Sequence, residues 1–297
     1  MNRILCIGDI MLDVTAVIGK DITQGLETRA KISTQGGGAA ANVASWLATH
    51  GTSAYVIARV GDDSAGRTVI EELDRFGVEH SHSVIAGANT GVVIVIVDGQ
   101  GERTMFPDSG ANAGLNKSDL PPLDGFDAIY LSGYSLINPL SREGILEIIE
   151  IARAKKLSIV FDPATIGMLA EVGVAKVREW ISLTDLLILN EEEAQFISGR
   201  ANPIEAAADL LQLVPQVVIK RGAIGALGQR RGEPVVQVEA TPTTVLDTTG
   251  AGDAFAAGFI HIWSAGGELV DALKSGAERA GRCVALIGSR PLVAPQK

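Results

Sequence analysis

The sequence predicts an α/β fold: parallel strands flanked by helices, with a small β-sheet lid. Three observations carry that expectation. Apolar strand-like runs alternate with helical segments along most of the length, and Gly or Asp turns punctuate the joins. Two stretches, approximately 14–35 and 88–110, break the rhythm with β-type sequence and read as excursions from the main body. At 297 residues the chain fits one large domain, 1–297, because single cores stop growing near ~250–300 residues.

In chain order, Ile4–Ile10 is an apolar run that ends at Gly8-Asp9, and Ala39–His50 is a small-residue helix stopped by Gly51. Ser53–Val60 reads as the next strand and Ala65–Phe76 as a helix closed by Gly77. Strand Ile129–Leu131 precedes helix Arg142–Lys155, and strand Ile159–Asp162 follows. Strand Leu186–Leu189 leads into helix Glu191–Ser198, and helix Ile204–Val214 into strand Val217–Lys220. Between these, Val14–Gln35 shows few helix signals. Gly91–Met105, with Asp98-Gly99-Gln100-Gly101 at its centre, suggests a hairpin, and the two pair into a subsidiary sheet.

Composition narrows the function. Apolar residues make up 46% and charged residues 20%, with 34 glycines, which excludes a disordered or collagen-like chain. Acidic residues outnumber basic ones 35 to 25, and the resulting field at net charge −10 repels a nucleic-acid backbone, so no nucleic-acid partner is expected. Cys6 and Cys283 lie far apart in apolar surroundings and read as buried, reduced thiols. The first apolar run is short and interrupted by Asp9, and no segment offers the ~20 apolar residues that span a bilayer. No membrane partner and a cytoplasmic location are therefore expected.

The segment Val245–Asp253 followed by Ala254–Trp263 carries the most chemistry. The helix is apolar nearly all round and so must be buried. Gly250 and Gly252, with Ala251 between them, let backbone N–H groups point outward at its N-terminus, a cradle for a phosphate. An acid in a first turn, here Asp253, is an ordinary capping device. Beside an anion cradle the same carboxylate can take a proton from an attacking hydroxyl while the cradle stabilises charge on the transferring group. A second glycine-rich segment, Gly36-Gly37-Gly38, enters the helix that carries Asn42. It reads equally as a turn or as a close backbone approach to a ligand, with the Asn42 amide suited to sugar hydroxyls. No P-loop stands in the sequence, and no G-x-G-x-x-G follows the first strand. Four histidines (His50, His80, His82, His261) without an HExxH offer no zinc site.

These residues, taken in order, resemble the ribokinase-type (PfkB) carbohydrate kinase family over essentially the whole chain. The matching motifs are GDIMLDV at the start, Gly37–Asn42 with ARVGDDSAGR after it, Asn190-Glu191-Glu192-Glu193, Lys220-Arg221-Gly222, and DTTGAGDAF at Asp247–Phe255. The resemblance implies a ribokinase-like doubly wound α/β sandwich with a small β-sheet lid, and ATP-dependent phosphorylation of a sugar hydroxyl. It implies Asp253 as general base and the backbone of Gly250, Ala251 and Gly252 as the anion hole. Asp13 and Asn42, with the backbone of Gly37 and Gly38, would hold the sugar. Asn190 and Glu193 would act near Mg²⁺ through its waters, whereas three acids opening a helix are otherwise a first-turn device. Lys220 and Gly222 would approach the nucleotide. Asp247 and the Thr249 carbonyl match positions for a monovalent cation, but the late loop reads Ile287-Gly288-Ser289-Arg290-Pro291, and Arg290 is expected to replace the cation's charge.

On the substrate side, Ala39 stands where ribokinases carry Lys, as fructokinase-like members tolerate, and Tyr134 is a candidate aromatic at the sugar. A nucleoside or sugar-phosphate kinase is the alternative within the family, with Arg29, Lys31 and Arg103 of the lid as phosphate-binding candidates. A non-catalytic sugar sensor on the same fold is the alternative outside it. A homodimer through the lids is implied, with Val92–Val97 as an open edge that a second subunit would protect.

Overall fold

The computed structural model describes residues 2–19, 22–81, 83–100 and 103–292. Strand β1 (Arg3–Ile7) is buried on both faces, which its unbroken apolar run dictates. The chain leaves the main sheet at Gly8-Asp9 for β2 (Met11–Ile18) and turns back along β3 (Ala30–Gly37), an antiparallel pair. Helix α1 (Ala39–Ala48), rich in Ala, packs closely, and β4 (Ser53–Ile57) joins β1 in parallel. The short β5 (Arg59–Gly61) precedes α2 (Ser64–Phe76), which is capped by the Asp63 carboxylate accepting from the Gly66 N–H and closed by left-handed Gly77. Then come β6 (Glu79–His80) and β7 (Ser83–Ile85), followed by the second hairpin, β8 (Gly91–Val97) and β9 (Arg103–Asp108).

The rest is α/β alternation: β10 (Ala128–Ser132), α3 (Gly133–Ile137), α4 (Arg142–Ala154), β11 (Ser158–Asp162), α5 (Ile166–Val172), α6 (Val174–Ile181) and β12 (Leu186–Asn190). Helices α7 (Glu191–Ser198) and α8 (Pro203–Leu210) lead to β13 (Gln216–Lys220), and β14 (Ala226–Arg230) and β15 (Val236–Val238) extend the sheet antiparallel. Helices α9 (Ala251–Trp263) and α10 (Leu269–Val284) pack against each other at the end.

The main sheet runs β15-β14-β13-β12-β11-β10-β1-β4-β6. Its winding reverses between β1 and β10, the place where an open α/β sheet leaves a crevice at its strand ends. Alternate side chains feed two cores. Ile4 and Cys6 face α1, α9 and α10, whereas Leu5 and Ile7 face α4 and its neighbours. The second sheet, β3-β2-β8-β9, is the lid. Its two hairpins join through a parallel β2–β8 pairing, so the excursions expected from sequence become one sheet.

Several expectations need correction. The strand read as Ser53–Val60 breaks at Ala58, and its end pairs with β7 in a separate two-stranded ribbon. Val92–Val97 is no edge: β8 lies inside the lid with β2 on one side and β9 on the other, and the open edges are β3 and β9. Helix 204–214 stops at Leu210, beyond which the chain turns. His80 is buried and meets Asp74 at 3.1 Å, away from the sheet's crevice, while His82 and the Gly101-Glu102 part of the predicted hairpin lie outside the described residues. Among the described residues no helix is long and apolar enough to cross a membrane.

Candidate active site

A cavity of about 1500 Å³ opens along the C-terminal ends of β1, β10, β11, β12 and β13, between the lid and the N-terminus of α9. Each parallel strand delivers a polar group there: Asp9 just past β1, Ser132 ending β10, Asp162 ending β11, Asn190 ending β12 and Lys220 ending β13. The gap between hydrogen-bonded strands and flanking helices leaves strand ends the natural place for functional side chains.

Asp253 sits in the first turn of α9, behind Gly250, whose φ of 74° is a left-handed conformation that favours glycine. A side chain at Gly250 would also collide with Ser289. The turn directs the N–H of Ala251 back to the Thr248 carbonyl at 3.3 Å, so Ala251 contributes less than the sequence implied. The N–H groups of Gly250, Gly252 and Asp253 meet no acceptor among the described residues and face the cavity. One oxygen of Asp253 accepts from the Asn42 amide at 2.8 Å. Burial raises the Asp253 pKa to about 7. The Asn42 hydrogen bond and Lys220 hold it down, whereas Asp162 and Asp13 push it up.

On the lid side, Asp13 projects from β2 beneath Gly37, and burial raises its pKa to about 6 while Arg290 opposes the rise. Gly37 is glycine because a side chain would strike the Asp13 carboxylate. Gly38, at φ 91°, lies on the Asp9 carbonyl. Asp9, which the sequence reading took only as a turn residue, also lines the cavity, with its pKa raised by burial to about 6. Ala39 and Tyr134 line it too, and Met11, Val93, Val95, Met105 and Pro107 of the lid form its apolar roof. Asn42 is buried in α1 and reaches Asp253 directly, an arrangement the sequence did not reveal.

Beside the cradle, Lys220 Nζ meets Asp162 Oδ2 at 2.7 Å, both largely buried. An added Cβ on Gly252 would lie 3.2 Å from that ammonium, which places Lys220 beside the first turn of α9. Asn190 and Glu193 form a reciprocal cap on α7, Asn190 Oδ1 accepting from the Glu193 N–H and Glu193 Oε2 from the Asn190 N–H, both at 2.8 Å. The first-turn role is therefore real, yet Glu193 also faces the cavity, and burial together with Asp162 raises its pKa to about 7 despite Lys220. Gly222 and Ala223 line the far end with Ala240, Val245, Ala277, Ala280 and Val284, an apolar slot. The missed residue here is Asp162. Its signal was an acid at the C-terminal end of a buried strand.

Asp247 stands apart. Its Oδ1 accepts from Arg103 Nη2 at 2.5 Å and from the Thr249 N–H at 2.7 Å, and its Oδ2 accepts from the Gly288 N–H at 2.9 Å. The guanidinium beside Asp247 thus comes from the lid, where Arg103 also donates to Thr248 Oγ1 at 2.9 Å. Arg290 does not approach Asp247. The Glu72 carboxylate and the Gly37 carbonyl draw it to the opposite side of the late loop. Of the three lid cations proposed for a substrate phosphate, Arg103 is engaged in this contact, and Arg29 and Lys31 are exposed.

The doubly wound sheet, the lid and a helix N-terminus facing both halves of one cleft define a fold that comparison places within one family. The pfkB family of carbohydrate kinases matches residues 1–295. A fructokinase from Klebsiella pneumoniae is 32% identical over 233 residues, 75% of each chain, and a 2-dehydro-3-deoxygluconokinase from Escherichia coli is 28% identical over 283 residues, 88% of this chain and 91% of its own. Among solved structures, the adenosine kinase from Sinorhizobium meliloti superposes with a TM-score of 0.90 at 24% identity, covering 98% of this chain and 96% of its own. A putative ribokinase II from E. coli in complex with ATP and Mg²⁺ superposes at 0.86 with 25% identity, covering 97% and 94%. The chain belongs to the pfkB family of carbohydrate kinases. It is a sugar kinase, a phosphotransferase, with the ribokinase-like fold.

Proposed function

We propose that the protein transfers the γ-phosphoryl group of ATP to a hydroxyl of a small sugar, in the manner of a ribokinase or fructokinase, with Asp253 as general base. The observation that carries this reading is the position of Asp253. It lies at the N-terminus of α9, with free backbone donors beside it, in the one cavity that holds Asp13 and Asn42 at one end and the apolar slot at the other. Asp13, with the backbone at Gly38, orients the sugar so that its hydroxyl faces Asp253, whereas Gly37 does not line the cavity and gives its carbonyl to Arg290. Asp253 accepts the hydroxyl proton as the oxygen attacks phosphorus. The N–H groups of Gly250 and Gly252, with Lys220, stabilise the charge on the transferring group. The adenine lies in the slot beyond Gly222.

The oxygen-rich set of Asp162, Glu193 and Asn190 suits a hard cation, and among the described residues no cluster of three or more His, Cys, Asp or Glu would hold a metal unaided. These residues fit Mg²⁺ held chiefly by the nucleotide phosphates and by water. When bound, Mg²⁺ neutralises phosphate charge. Asp162 and Glu193 would hold it through water, with Lys220 offsetting part of their negative charge. A panel of ribose, fructose, 2-keto-3-deoxygluconate, fructose phosphates, adenosine and pseudouridine, scored for ADP release with Mg·ATP, tests the reading. ADP release with a free sugar supports it, and release only with a nucleoside or a fructose phosphate replaces it with a nucleoside or sugar-phosphate kinase of the same family. Ligand-dependent thermal stabilisation without ADP formation from any acceptor replaces it with a sugar sensor.

A monovalent cation does not fit at the Asp247 carboxylate, both of whose oxygens are taken by donors, one of them a guanidinium. The rate is expected to be nearly independent of added K⁺, and a several-fold stimulation of the wild-type enzyme contradicts this. The lid's outer face supports a homodimer. Val14, Ile94 and Phe106 stand in one cross-strand row, turned away from the cavity that their neighbours Asp13, Val93, Met105 and Pro107 line, with Ile32 on the same face. Ile32, Ile94 and Phe106 are 65%, 47% and 54% exposed, an apolar surface suited to a second copy. Light scattering at micromolar concentration is expected to give twice the 31.0 kDa chain mass, and a monomer mass contradicts the pairing.

A further inference from the structure

Arg290 is a nearly fully buried cation that does not line the cavity, yet every arm of its guanidinium is engaged. Its Nε donates to Asn42 Oδ1 at 3.2 Å, its Nη1 to Glu72 Oε2 at 3.1 Å and its Nη2 to the Gly37 carbonyl at 2.9 Å. Glu72 Oε2 also accepts from the Gly36 N–H at 2.8 Å, so one α2 carboxylate ties the root of the lid to the same cation. We propose that Arg290 is a positioning residue for phosphoryl transfer: it fixes the amide of Asn42 so that Asn42 presents its NH₂ to Asp253, and it holds the Gly36-Gly37 root of the lid in the same grip. The inference rests on the reading of Asp253 as base.

What Asp253 meets depends on which way the Asn42 amide points. An Asn side chain has a donor end and an acceptor end of nearly equal shape, so its neighbours must choose between them. Ser289 Oγ, at 3.2 Å from Asn42 Oδ1, does not choose, because a hydroxyl both donates and accepts. A guanidinium only donates. With Arg290 against Oδ1, a flipped Asn42 would set NH₂ against N–H on one side and a carbonyl oxygen against the Asp253 carboxylate on the other. Arg290 thereby leaves the NH₂ as the only group Asn42 can offer Asp253, which fixes that carboxylate's rotamer toward the sugar. Arg290 of the late loop then has a physical role distinct from the cation substitution expected of it.

Besides Asn42 and Arg290, the groups that face Asp253 are Asp13 from β2, Tyr130 from β10, Tyr134 from α3, Asp162 from β11, Lys220 from β13 and Cys283 from α10. Removing the Arg290 charge would by itself only move the pH midpoint. Loss of orientation also lowers the rate where Asp253 is fully ionised. The two are separable in a kcat–pH profile.

The test compares Arg290→Gln with Arg290→Lys in the full-length enzyme, beside Asp253→Asn, measuring kcat and KM for ATP and acceptor from pH 5.5 to ~9, with thermal midpoints as a fold check. Gln can donate or accept, so it loses the discrimination. Its high-pH plateau of kcat is expected to fall about 10- to 100-fold, with the midpoint moved upward and KM for ATP unchanged. Lys only donates and is expected to restore most of the plateau. A folded Gln variant with a wild-type plateau overturns the proposal, as does equal loss in both variants at an unmoved midpoint. Should the Gln variant fail to fold, Glu72→Gln is read on the plateau alone, because loss of an anion does not raise the midpoint of a carboxyl. It keeps an acceptor for the Gly36 N–H but withdraws the anion that holds Arg290, and a wild-type plateau there overturns the proposal. Turnover retained in Asp253→Asn would refute the base reading itself. A silent Asp253→Asn beside a wild-type Arg290→Gln refutes this inference alone.

Discussion

Asp253→Asn is expected to lower kcat by about 10²–10⁴-fold while leaving ATP binding near normal, because an amide of the same shape fills the site but takes no proton. The wild-type rate should rise with pH as Asp253 ionises, around the value of about 7 to which burial raises it. The same shift makes a stability prediction of definite sign. A carboxyl whose folded pKa lies above its unfolded value of ~3.9 binds its proton more tightly in the folded state. It favours folding fully below the unfolded value, and that contribution is lost as pH rises through about 7. The Asn variant, which has no proton to lose, should therefore gain thermal stability relative to wild type between pH 4 and 8. Retained kcat removes Asp253 from the base role. An unchanged stability difference across that range contradicts its buried, raised pKa.

Lys220→Met is expected to be the second large loss. It withdraws the ammonium beside the first turn of α9 and leaves Asp162 without its 2.7 Å partner among Glu193 and Asp253. Removing one stabiliser of transition-state charge typically lowers kcat by about 10²–10³-fold. Stranding one member of a buried pair destabilises by about 3–5 kcal/mol. Adding Asp162→Asn should recover much of the thermal midpoint, because no bare carboxylate then remains, but not the rate. Equal recovery of both by the double variant would mean that Lys220 serves packing and charge balance alone. Comparison of calorimetric midpoints with kcat for the three proteins decides it.

The fold was legible where side chains are periodic and backbone is punctuated. β1, α2 with Gly77 behind it, β12 with α7, and α9 all lie within a few residues of their sequence expectations, because apolar runs and caps are local signals. Helices α5, α6 and α10 were not anticipated, although α10 fills its apolar face against α9 in an ordinary amphipathic way. The lid hairpins were visible, but their order was not. Whether β8 is an edge or an interior strand depends on its parallel pairing with β2, roughly 80 residues earlier in the chain.

The site divides along the same line. Asp13, Asn42, Asn190, Glu193, Lys220, Gly222 and the Gly250–Asp253 turn sit in motifs, and the structure gathers them in one cavity save that Asn190 and Glu193 spend part of their bonding on a helix cap. Asp162 and Asp9 were hidden because an acid at a strand end looks like a turn residue until the neighbouring strands are placed. Arg103 rather than Arg290 meets Asp247, because each arginine finds its carboxylate across more than a hundred residues of sequence.

The most direct measurement follows the phosphoryl group itself: ATP labelled at the γ-phosphate, Mg²⁺, enzyme and each acceptor of the panel in turn, with products separated and label counted on acceptor and on inorganic phosphate. With one acceptor the label is expected to move onto a sugar hydroxyl in step with ADP, and Asp253→Asn is expected to leave it on ATP. Label found only in inorganic phosphate, or transfer undiminished in Asp253→Asn, would contradict the proposed function.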